Sequence, residues 1–314
     1  MLSRSMTAMF AVLQSISMTV HGTADEKKPA SPFVPDDVVA YRTVDTPDGE
    51  SDDLVLNIFQ PPGHQKTDKR SCIVFFFGGG WNGGNPSQFY PHCEYFASRG
   101  MVAISAEYRT KKSHNVEPRT CVFDGKAAIR WVRDHSATIG VHPDRVAAGG
   151  GSAGGHVAAA VAACVQLEEA GVPPTTSCIP NALMLFNPVY DNGPEGYGHD
   201  RVKSYWEVFS PRHNLHSRMP PTVAFFGTED KLIPVATTEA FQSAMEAVGV
   251  RYDNHLYEGQ GHGFFNFGRG SDGTEFFAKT VGTADEFLTS LGLLEGRPAI
   301  DEFIKAQPTE SARR

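Results

Sequence analysis

The stretch AAGGGSAGGHVAAAVAAC, residues 147–164, places one serine, Ser152, between two runs of glycine. It overlaps the apolar run RVAAG at 145–149 and continues into a helix of small residues at 154–165. A strand, a tight turn and a helix are therefore predicted in that order, with Ser152 at the turn. Such a turn suits either a cradle for dinucleotide phosphates or a serine nucleophile.

The glycines fit a dinucleotide fingerprint, G-x-G-x-x-G, through Gly149, Gly151 and Gly154. Glu169 even lies at the spacing of the acid that binds the ribose. However, Glu169 sits where a predicted helix runs into a proline turn, whereas that acid should end a second strand. The motif also falls in the middle of the chain, and no Lys-Ser or Lys-Thr follows it as a P-loop requires. The serine interpretation is therefore favoured.

Ser152 also fits the pattern of a nucleophile elbow, G-x-S-x-G, with Gly150 and Gly154. Small neighbours are needed there because the turn brings two backbones close together. The helix that follows directs its free N–H groups and its positive dipole end at the reacting oxygen. Taken alone the pattern has many false matches, so the assignment depends on whether its partners, a base and an acid, follow in the sequence.

Those partners follow later strands of the predicted sheet. Asp230 comes just after the apolar run 222–226, and His262 lies in a glycine-flanked loop before the final helix. A serine hydroxyl is a weak nucleophile until a base removes its proton, so His262 is the predicted base and later acid. Asp230 would hold the imidazole tautomer and stabilise its charged form. Asp191, which follows another strand, is the alternative acid.

A second glycine run supplies candidate donors for an oxyanion. The stretch FFFGGGWNGG at 75–84 follows a buried strand, and glycines let backbone N–H groups approach a substrate closely. We assign the oxyanion hole to the N–H groups of Gly79 and Gly80, with Ala153 as the second arm. Trp81 would position this loop or line the pocket.

Apolar runs bounded by glycine or proline alternate with helical patterns along most of the chain. Continuous runs suit strands buried on both faces of a parallel sheet, whereas the alternating stretch LVLNIF at 54–59 suits an edge or antiparallel strand. The predicted fold class is α/β, a mostly parallel, doubly wound sheet with helices on both faces. The continuous runs lie at 72–77, 101–105, 145–149, 182–186 and 222–226, and the helical patterns at 123–140, 154–165, 235–249 and 285–294.

The N-terminus has the features of a secretory signal peptide: Arg4, a mostly apolar stretch at 6–20, and small residues up to Ala24. The stretch is too short and too polar to span a membrane. We therefore expect a periplasmic or secreted protein. The predicted organisation is a signal peptide at 1–24, a linker at 25–36, one catalytic domain at 37–295 with a cap-like insertion at 187–221 after the sixth strand, and a polar tail at 296–314.

Net charge and cysteine content exclude some classes of binding partner and bound metal. A formal net charge of -8 argues against nucleic acid or an anionic membrane as the main partner. The five cysteines contain no C-x-x-C pair, so we expect no structural zinc site. Cys72 and Cys164 lie in apolar stretches and are predicted to be buried. Export would allow a disulfide among Cys93, Cys121 and Cys178, and the sequence does not choose the pair.

From about residue 54 to residue 291 the chain resembles one known family, the α/β-hydrolase superfamily. Within it the chain is similar to the lipases and esterases that include acetyl xylan and feruloyl esterases and hormone-sensitive-lipase-like carboxylesterases. Six motifs between residues 78 and 265 carry the resemblance. The chain order Ser152, Asp230, His262 is the order of that fold. The sequence departs from the family at Phe77, where relatives carry the His of HGGG, which orders the loop. The motifs are GGGW at 78–81, AEYR at 106–109, DGKAAIRWVR at 124–133, GGSAGGH at 150–156, GTEDKLIP at 227–234 and GHGFF at 261–265.

The resemblance implies a serine carboxylic-ester hydrolase that forms an acyl-enzyme on Ser152 and needs no metal or organic cofactor. Its expected substrates are small or carbohydrate-linked esters of the acetyl or feruloyl type. A peptidase or amidase on the same fold is one alternative, although prolyl peptidases of this kind usually carry a propeller domain that this chain has no room for. A non-catalytic binding protein is the other, although such proteins tend to lose a triad member.

Overall fold

The computed structural model describes residues 32–171, 176–269 and 273–307. The chain divides into two units, Met1–Pro32 and Phe33–Arg314, and every helix and strand of the described residues lies in the second. The predicted signal peptide at 1–24 and most of the predicted linker at 25–36 lie outside the described residues. Within the described ranges no helix has the length and apolar character needed to cross a membrane.

An eight-stranded sheet forms the centre of the fold, which confirms the predicted α/β class. The strands are β1 (Asp37–Asp45), β2 (Ser51–Phe59), β3 (Arg70–Phe76), β4 (Val102–Ala106), β5 (Val141–Gly151), β6 (Ala182–Phe186), β7 (Thr222–Gly227) and β8 (Tyr252–Tyr257). Their order across the sheet is β1-β2-β4-β3-β5-β6-β7-β8. β2 pairs antiparallel with both β1 and β4, and the pairs from β4 to β8 are parallel.

Helices connect the parallel strands. They are α1 (Tyr90–Ser98), α2 (Lys111–His114), α3 (Pro118–Asp134), α4 (Ala153–Ala163), α5 (His199–Val202), α6 (Trp206–Phe209), α7 (Val235–Ala247), α8 (Glu275–Ser290) and α9 (Ile300–Ala306), with short 3₁₀ helices at Pro86–Phe89 and Pro211–Asn214. α4 is buried along its whole length, because its glycine, alanine and valine side chains allow close packing on the sheet.

The six strands predicted from sequence are all present, and two more were missed. The missed strands β1 and β8 are the two edges of the sheet. β1 (DVVAYRTVD) and β8 (YDNHLY) carry polar side chains and are mostly exposed or half-buried, so neither shows a continuous apolar run. The alternation in LVLNIF did predict an antiparallel strand, although β2 is internal because β1 covers its outer side.

Two helix boundaries differ from the sequence prediction, and the predicted C-terminal tail contains a helix. α3 begins at Pro118, before the predicted start at 123, because proline is favoured in the first helical turn. α8 begins at Glu275, ahead of the predicted segment at 285–294. The predicted polar tail from 296 includes α9, in which Phe303 is buried and its ring lies 5.4 Å from that of Tyr95.

The insertion at 187–221 carries α5, α6 and a short 3₁₀ helix. It is ordered by aromatic packing onto the main domain. Phe209 is fully buried, and its ring lies 4.2 Å from that of His156 on α4 and 5.7 Å from that of Trp81 on the glycine loop. This packing places the insertion beside the carboxyl end of the sheet.

All five cysteines lie within the described residues, and all five are buried free thiols. The disulfide left open among Cys93, Cys121 and Cys178 is therefore not formed. Burial raises the pKa of each of these three thiols, which opposes formation of the reactive thiolate. The burial predicted for Cys72 and Cys164 is confirmed.

His92 on α1 is a buried histidine inside a cage of aromatic rings. Neither of its ring nitrogens has a hydrogen-bond partner among the described residues. Burial lowers the pKa of His92 to about 3, because the cage cannot solvate the charged imidazolium. Its ring contacts, at centroid distances between 4.8 and 6.1 Å, are Phe75, Phe89, Phe186, Phe265 and Phe277.

This cage predicts a specific acid sensitivity. An unfolded histidine binds a proton near pH 6.5, whereas folded His92 stays neutral down to about pH 3. The unfolded state therefore binds more protons between these values, and stability is lost as the pH falls below about 6.5. The wild type should therefore lose unfolding free energy when the pH is lowered from about 7.5 to about 5, as measured by urea titration at both values. We expect this loss to be about 2 kcal/mol smaller in His92→Phe.

The exposed His135 offers a matched control, because water reaches its side chain in the folded state. His135→Phe should leave the difference between the two pH values as it is in the wild type. An unchanged difference in His92→Phe would contradict the account of the cage.

Candidate active site

The turn between β5 and α4 holds Ser152 in a backbone conformation that few side chains adopt. Its φ is 55° and its ψ is -121°. Close backbone approach explains the neighbouring glycines. A Cβ on Gly154 would lie 2.0 Å from the carbonyl oxygen of Phe76, and one on Gly150 would lie 2.5 Å from the carbonyl oxygen of Gly154. Side chains at these two positions would push β3, β5 and α4 apart.

The structure brings Ser152, His262 and Asp230 into one hydrogen-bonded line. The His262 Nε2 atom lies 2.9 Å from the Ser152 Oγ atom, and its Nδ1 atom lies 2.7 Å from the Asp230 Oδ2 atom. Each residue follows the carboxyl end of a different strand, β5, β7 or β8. A neutral imidazole with its proton on Nδ1 would donate to Asp230 and accept the proton of the serine hydroxyl.

Asp230 is held as a carboxylate by three donors. Its Oδ1 atom accepts from the backbone N–H groups of Leu232, at 2.8 Å, and Ile233, at 3.0 Å. Burial alone would raise the pKa of Asp230. The hydrogen bonds from His262 and these two N–H groups outweigh burial, so the pKa of Asp230 lies below its usual value. A charged carboxylate is what stabilises an imidazolium.

The other acidic candidates are engaged elsewhere. Asp191 accepts from the Arg212 guanidinium at 2.6 Å and from the N–H of Gly193 at 2.7 Å. Glu169, the acid of the rejected dinucleotide pattern, forms ion pairs with Arg42 and Arg109. Among the described residues, no group of three or more His, Cys, Asp and Glu side chains is placed to hold a metal ion.

The glycine loop lies against the serine turn. Gly79 and Gly80 have φ values of 129° and 63°, and a Cβ added to Gly78 would lie 3.4 Å from the Ser152 Cβ atom. Within the described part of the chain, no acceptor is recorded for the N–H groups of Gly79, Gly80 and Ala153. These are the three N–H groups assigned to the oxyanion hole, and each is free to donate to a substrate oxygen.

Phe77 shows how this loop is built without the family histidine. Its buried ring stacks on Tyr108 at a centroid distance of 4.1 Å, and the Tyr108 hydroxyl donates to the Phe77 carbonyl oxygen at 2.5 Å. A Cβ on Gly84 would lie 2.3 Å from the Phe77 ring, so the ring also packs against the far end of the loop. An apolar ring contact therefore occupies the position where the family resemblance led us to expect a histidine.

Arg201, on α5 of the insertion, holds the loop from outside. It donates to the Gly80 carbonyl oxygen at 2.6 Å, and its guanidinium lies 4.9 Å from the Trp81 ring centre and 5.5 Å from that of Tyr197. Trp81 is buried and packs on His156 and Phe209 instead of lining the cavity at the serine. Of its two predicted roles, Trp81 therefore has the positioning one.

A cavity of about 430 Å³ opens at the serine. A larger cavity of about 980 Å³ lies between α8 and the segment around α9, and none of the three hydrogen-bonded residues lines it. The smaller cavity contains the reactive groups. Its lining residues are Gly78, Gly79, Gly80, Asn82, Gln88, Ser152, Asn187, Tyr197, Leu232, His262, Gly263, Phe265, Asn266 and Arg269.

Several of these residues were not found from the sequence. Asn187 is buried, and its Nδ2 atom lies 3.2 Å from the Nδ1 atom of His262. It directly follows β6, so its position at the carboxyl end of a strand could have drawn attention to it. Gln88 and Asn266 carry no such signal, because single amide residues in loops are common in any sequence.

Comparisons with known proteins agree on one fold. A family model described as alpha/beta hydrolase fold matches residues 73–266. Esterase LipQ of Mycobacterium tuberculosis is 28% identical over 232 residues, covering 67% of this chain and 54% of the relative. Carboxylesterase NlhH of the same species is 30% identical over 123 residues, covering 39% of this chain and 37% of the relative. The chain thus spans about half or less of the length of these curated relatives.

Solved structures extend the likeness over most of the chain. The apo form of Thermogutta terrifontis esterase 2 has a TM-score of 0.79 and 44% sequence identity, covering 86% of this chain and 98% of that protein. The propionate-bound form of the same esterase has a TM-score of 0.78 and 43% identity, covering 85% and 97%.

The apolar setting of Phe77 predicts the result of restoring the family residue. Phe77→His would place ring nitrogens against Tyr108 and Gly84, where the structure gives Phe77 apolar ring contacts. We expect the free energy of unfolding to fall by about 1–3 kcal/mol, measured by urea titration. The same exchange at the half-buried Phe123 should cost less. Equal or higher stability of Phe77→His would contradict this account of the loop.

Proposed function

The chain belongs to the alpha/beta hydrolase family, and from that premise we propose that it is a serine carboxylic-ester hydrolase. The observation that carries the proposal is the line of hydrogen bonds from Ser152 through His262 to Asp230. Three backbone N–H groups beside the serine have no acceptor within the described residues, and they complete the set of groups that acyl transfer needs. The named relatives are esterases, which supports the same class of reaction.

The first half of the reaction acylates the serine. The Ser152 Oγ atom attacks the ester carbonyl carbon while His262 takes the hydroxyl proton at Nε2. The carbonyl oxygen becomes an oxyanion and accepts from the N–H groups of Gly79, Gly80 and Ala153. The bond to the alcohol oxygen then breaks, and His262 returns the proton to the departing alcohol. Asp230 remains charged throughout and stabilises the imidazolium.

The second half releases the acid. Water attacks the acyl carbon of the ester on Ser152, and His262 takes a proton from that water. The same N–H groups hold the second oxyanion. The Ser152 oxygen leaves and receives the proton from His262, which restores the resting enzyme.

The lining of the cavity supports polar substrates with small acyl groups. Beyond the reacting residues, the side chains that line it are mostly hydrogen-bonding groups, with Leu232 and Phe265 as the apolar ones. A structure of Thermogutta terrifontis esterase 2 has propionate bound, which is a short-chain carboxylate. We therefore propose acetylated or similarly acylated carbohydrate as the substrate class. The polar lining side chains are Asn82, Gln88, Asn187, Tyr197, Asn266 and Arg269.

The test is acetate release from acetylated xylan, with p-nitrophenyl acetate as a reactive reference ester. We expect the wild type to cleave both and Ser152→Ala to lower turnover roughly 10⁵–10⁶-fold, with a residual rate from the oxyanion hole and binding. Ser243→Ala, at an exposed serine of α7, is the matched control and should behave as the wild type.

Each failure of this test has its own meaning. A loss of less than about tenfold in Ser152→Ala would contradict the serine mechanism. Cleavage of the reference ester alone would remove the carbohydrate proposal and keep the mechanism. Inactivity of well-folded wild type on both esters would favour the amidase or the non-catalytic alternative, which p-nitroanilide substrates then separate.

The choice of acid has its own matched pair of variants. Asp230→Asn leaves the imidazole in the wrong tautomer, so we expect kcat for p-nitrophenyl acetate to fall by roughly 10⁴-fold. Asp191→Asn breaks the pair with Arg212 but does not touch His262, so a change of less than about tenfold is expected. If Asp191→Asn lowers kcat more than Asp230→Asn does, the acid has been assigned wrongly.

A further inference from the structure

Two side-chain amides at the edge of the cavity join the glycine loop to the histidine loop. The Gln88 Oε1 atom accepts from the backbone N–H of Gly78 at 2.7 Å. The Gln88 Nε2 atom donates to the Asn266 Oδ1 atom at 2.9 Å. The Asn266 Nδ2 atom donates to the Gly263 carbonyl oxygen at 2.8 Å. We call Gln88 and Asn266 together the amide bridge.

The direction of the amide bridge is fixed by its two ends. A backbone N–H, at Gly78, can only donate, and a backbone carbonyl, at Gly263, can only accept. Each amide must therefore accept on the Gly78 side and donate on the Gly263 side. A carboxylate of the same shape cannot take either place, because it has no proton to donate onward.

The ends of the amide bridge lie next to the reacting groups. Gly78 directly precedes Gly79, an assigned oxyanion donor, and a Cβ on Gly78 would lie 3.4 Å from the Ser152 Cβ atom. Gly263 directly follows His262. The bridge thus spans from the loop that receives the oxyanion to the loop that carries the base, and both bridging side chains line the cavity between them.

We propose that Gln88 and Asn266 are positioning residues that set the distance between the oxyanion donors and the base, an inference that rests on the proposed ester hydrolysis. Ser152 is fixed by its own turn, but the other two parts sit on separate loops whose relative placement needs a connection. Misplacement by about 1 Å can cost about 10²-fold in rate, so such a connection affects turnover more than substrate binding.

The experiment is a double-mutant cycle with p-nitrophenyl acetate. Gln88→Met and Asn266→Leu remove the hydrogen bonds and keep similar volume. We expect each to lower kcat about 10- to 100-fold while KM changes less than about threefold. Because either change breaks the whole bridge, the double variant should be no slower than the slower single variant, within about threefold. Gln242→Met, which removes an exposed amide on α7, is the control.

A further variant, Gln88→Glu, distinguishes loss of the amide bridge from a general folding defect. Gln88→Glu keeps the size and still accepts from the Gly78 N–H, but it cannot donate to Asn266. It should lose kcat like Gln88→Met while its thermal midpoint stays near that of the wild type. Multiplicative losses in the double variant, or a kcat within about twofold of wild type in both single variants, would overturn the proposal.

Hydrogen exchange gives a readout that does not depend on activity. The Gly78 N–H bonds to Gln88, and Asn266 bonds to Gln88 in turn. Asn266→Leu should therefore speed exchange of the Gly78 N–H only if its effect is transmitted through the Gln88 side chain. We expect about tenfold faster exchange in both single variants. Unchanged exchange at Gly78 in Asn266→Leu would overturn the amide bridge. Inactive wild type with the expected exchange would instead reject the proposed function alone.

Discussion

The turn at Ser152 is the constraint on which the rest of the site depends. A serine with φ near 55° is held there because β5 and α4 meet at a spacing that only glycine permits on either side. Gly154 touches the end of β3, and this contact also fixes where the glycine loop leaves the sheet. One crowded backbone crossing therefore positions the nucleophile, the start of α4 and the beginning of the glycine loop together.

The glycine loop and the loop that carries His262 extend beyond the sheet, and side chains from other elements hold them in place. Phe77, at the start of the glycine loop, stacks on Tyr108, and Arg201 of the insertion donates a hydrogen bond to the Gly80 carbonyl oxygen. In the loop that carries His262, the Phe265 ring packs closely against Gly151: a Cβ on Gly151 would lie only 2.5 Å from that ring. The loop that carries the base is thus anchored to the same turn that carries the nucleophile.

Residues in a recognisable local sequence pattern could be predicted from the sequence. Residues whose role depends on contacts with distant parts of the chain could not. Ser152, Asp230 and His262 could be predicted because each follows a strand in a glycine-rich or turn-rich context. The edge strands were missed because exposed strands need no apolar run, and α9 was missed because it is short and only Phe303 in it is buried. Gln88 has no pattern around it; only the folded chain shows that its amide meets Asn266.

The proposed ester hydrolysis requires that His262 makes the Ser152 hydroxyl nucleophilic. The most direct measurement is mass spectrometry of the protein after exposure to paraoxon, a phosphorylating agent that also modifies Thermogutta terrifontis esterase 2. We expect one diethylphosphoryl group per chain, on the peptide that contains Ser152, with release of p-nitrophenolate. We also expect much slower labelling in His262→Ala. Absence of an adduct, or an adduct on a different residue, would contradict the proposed serine mechanism.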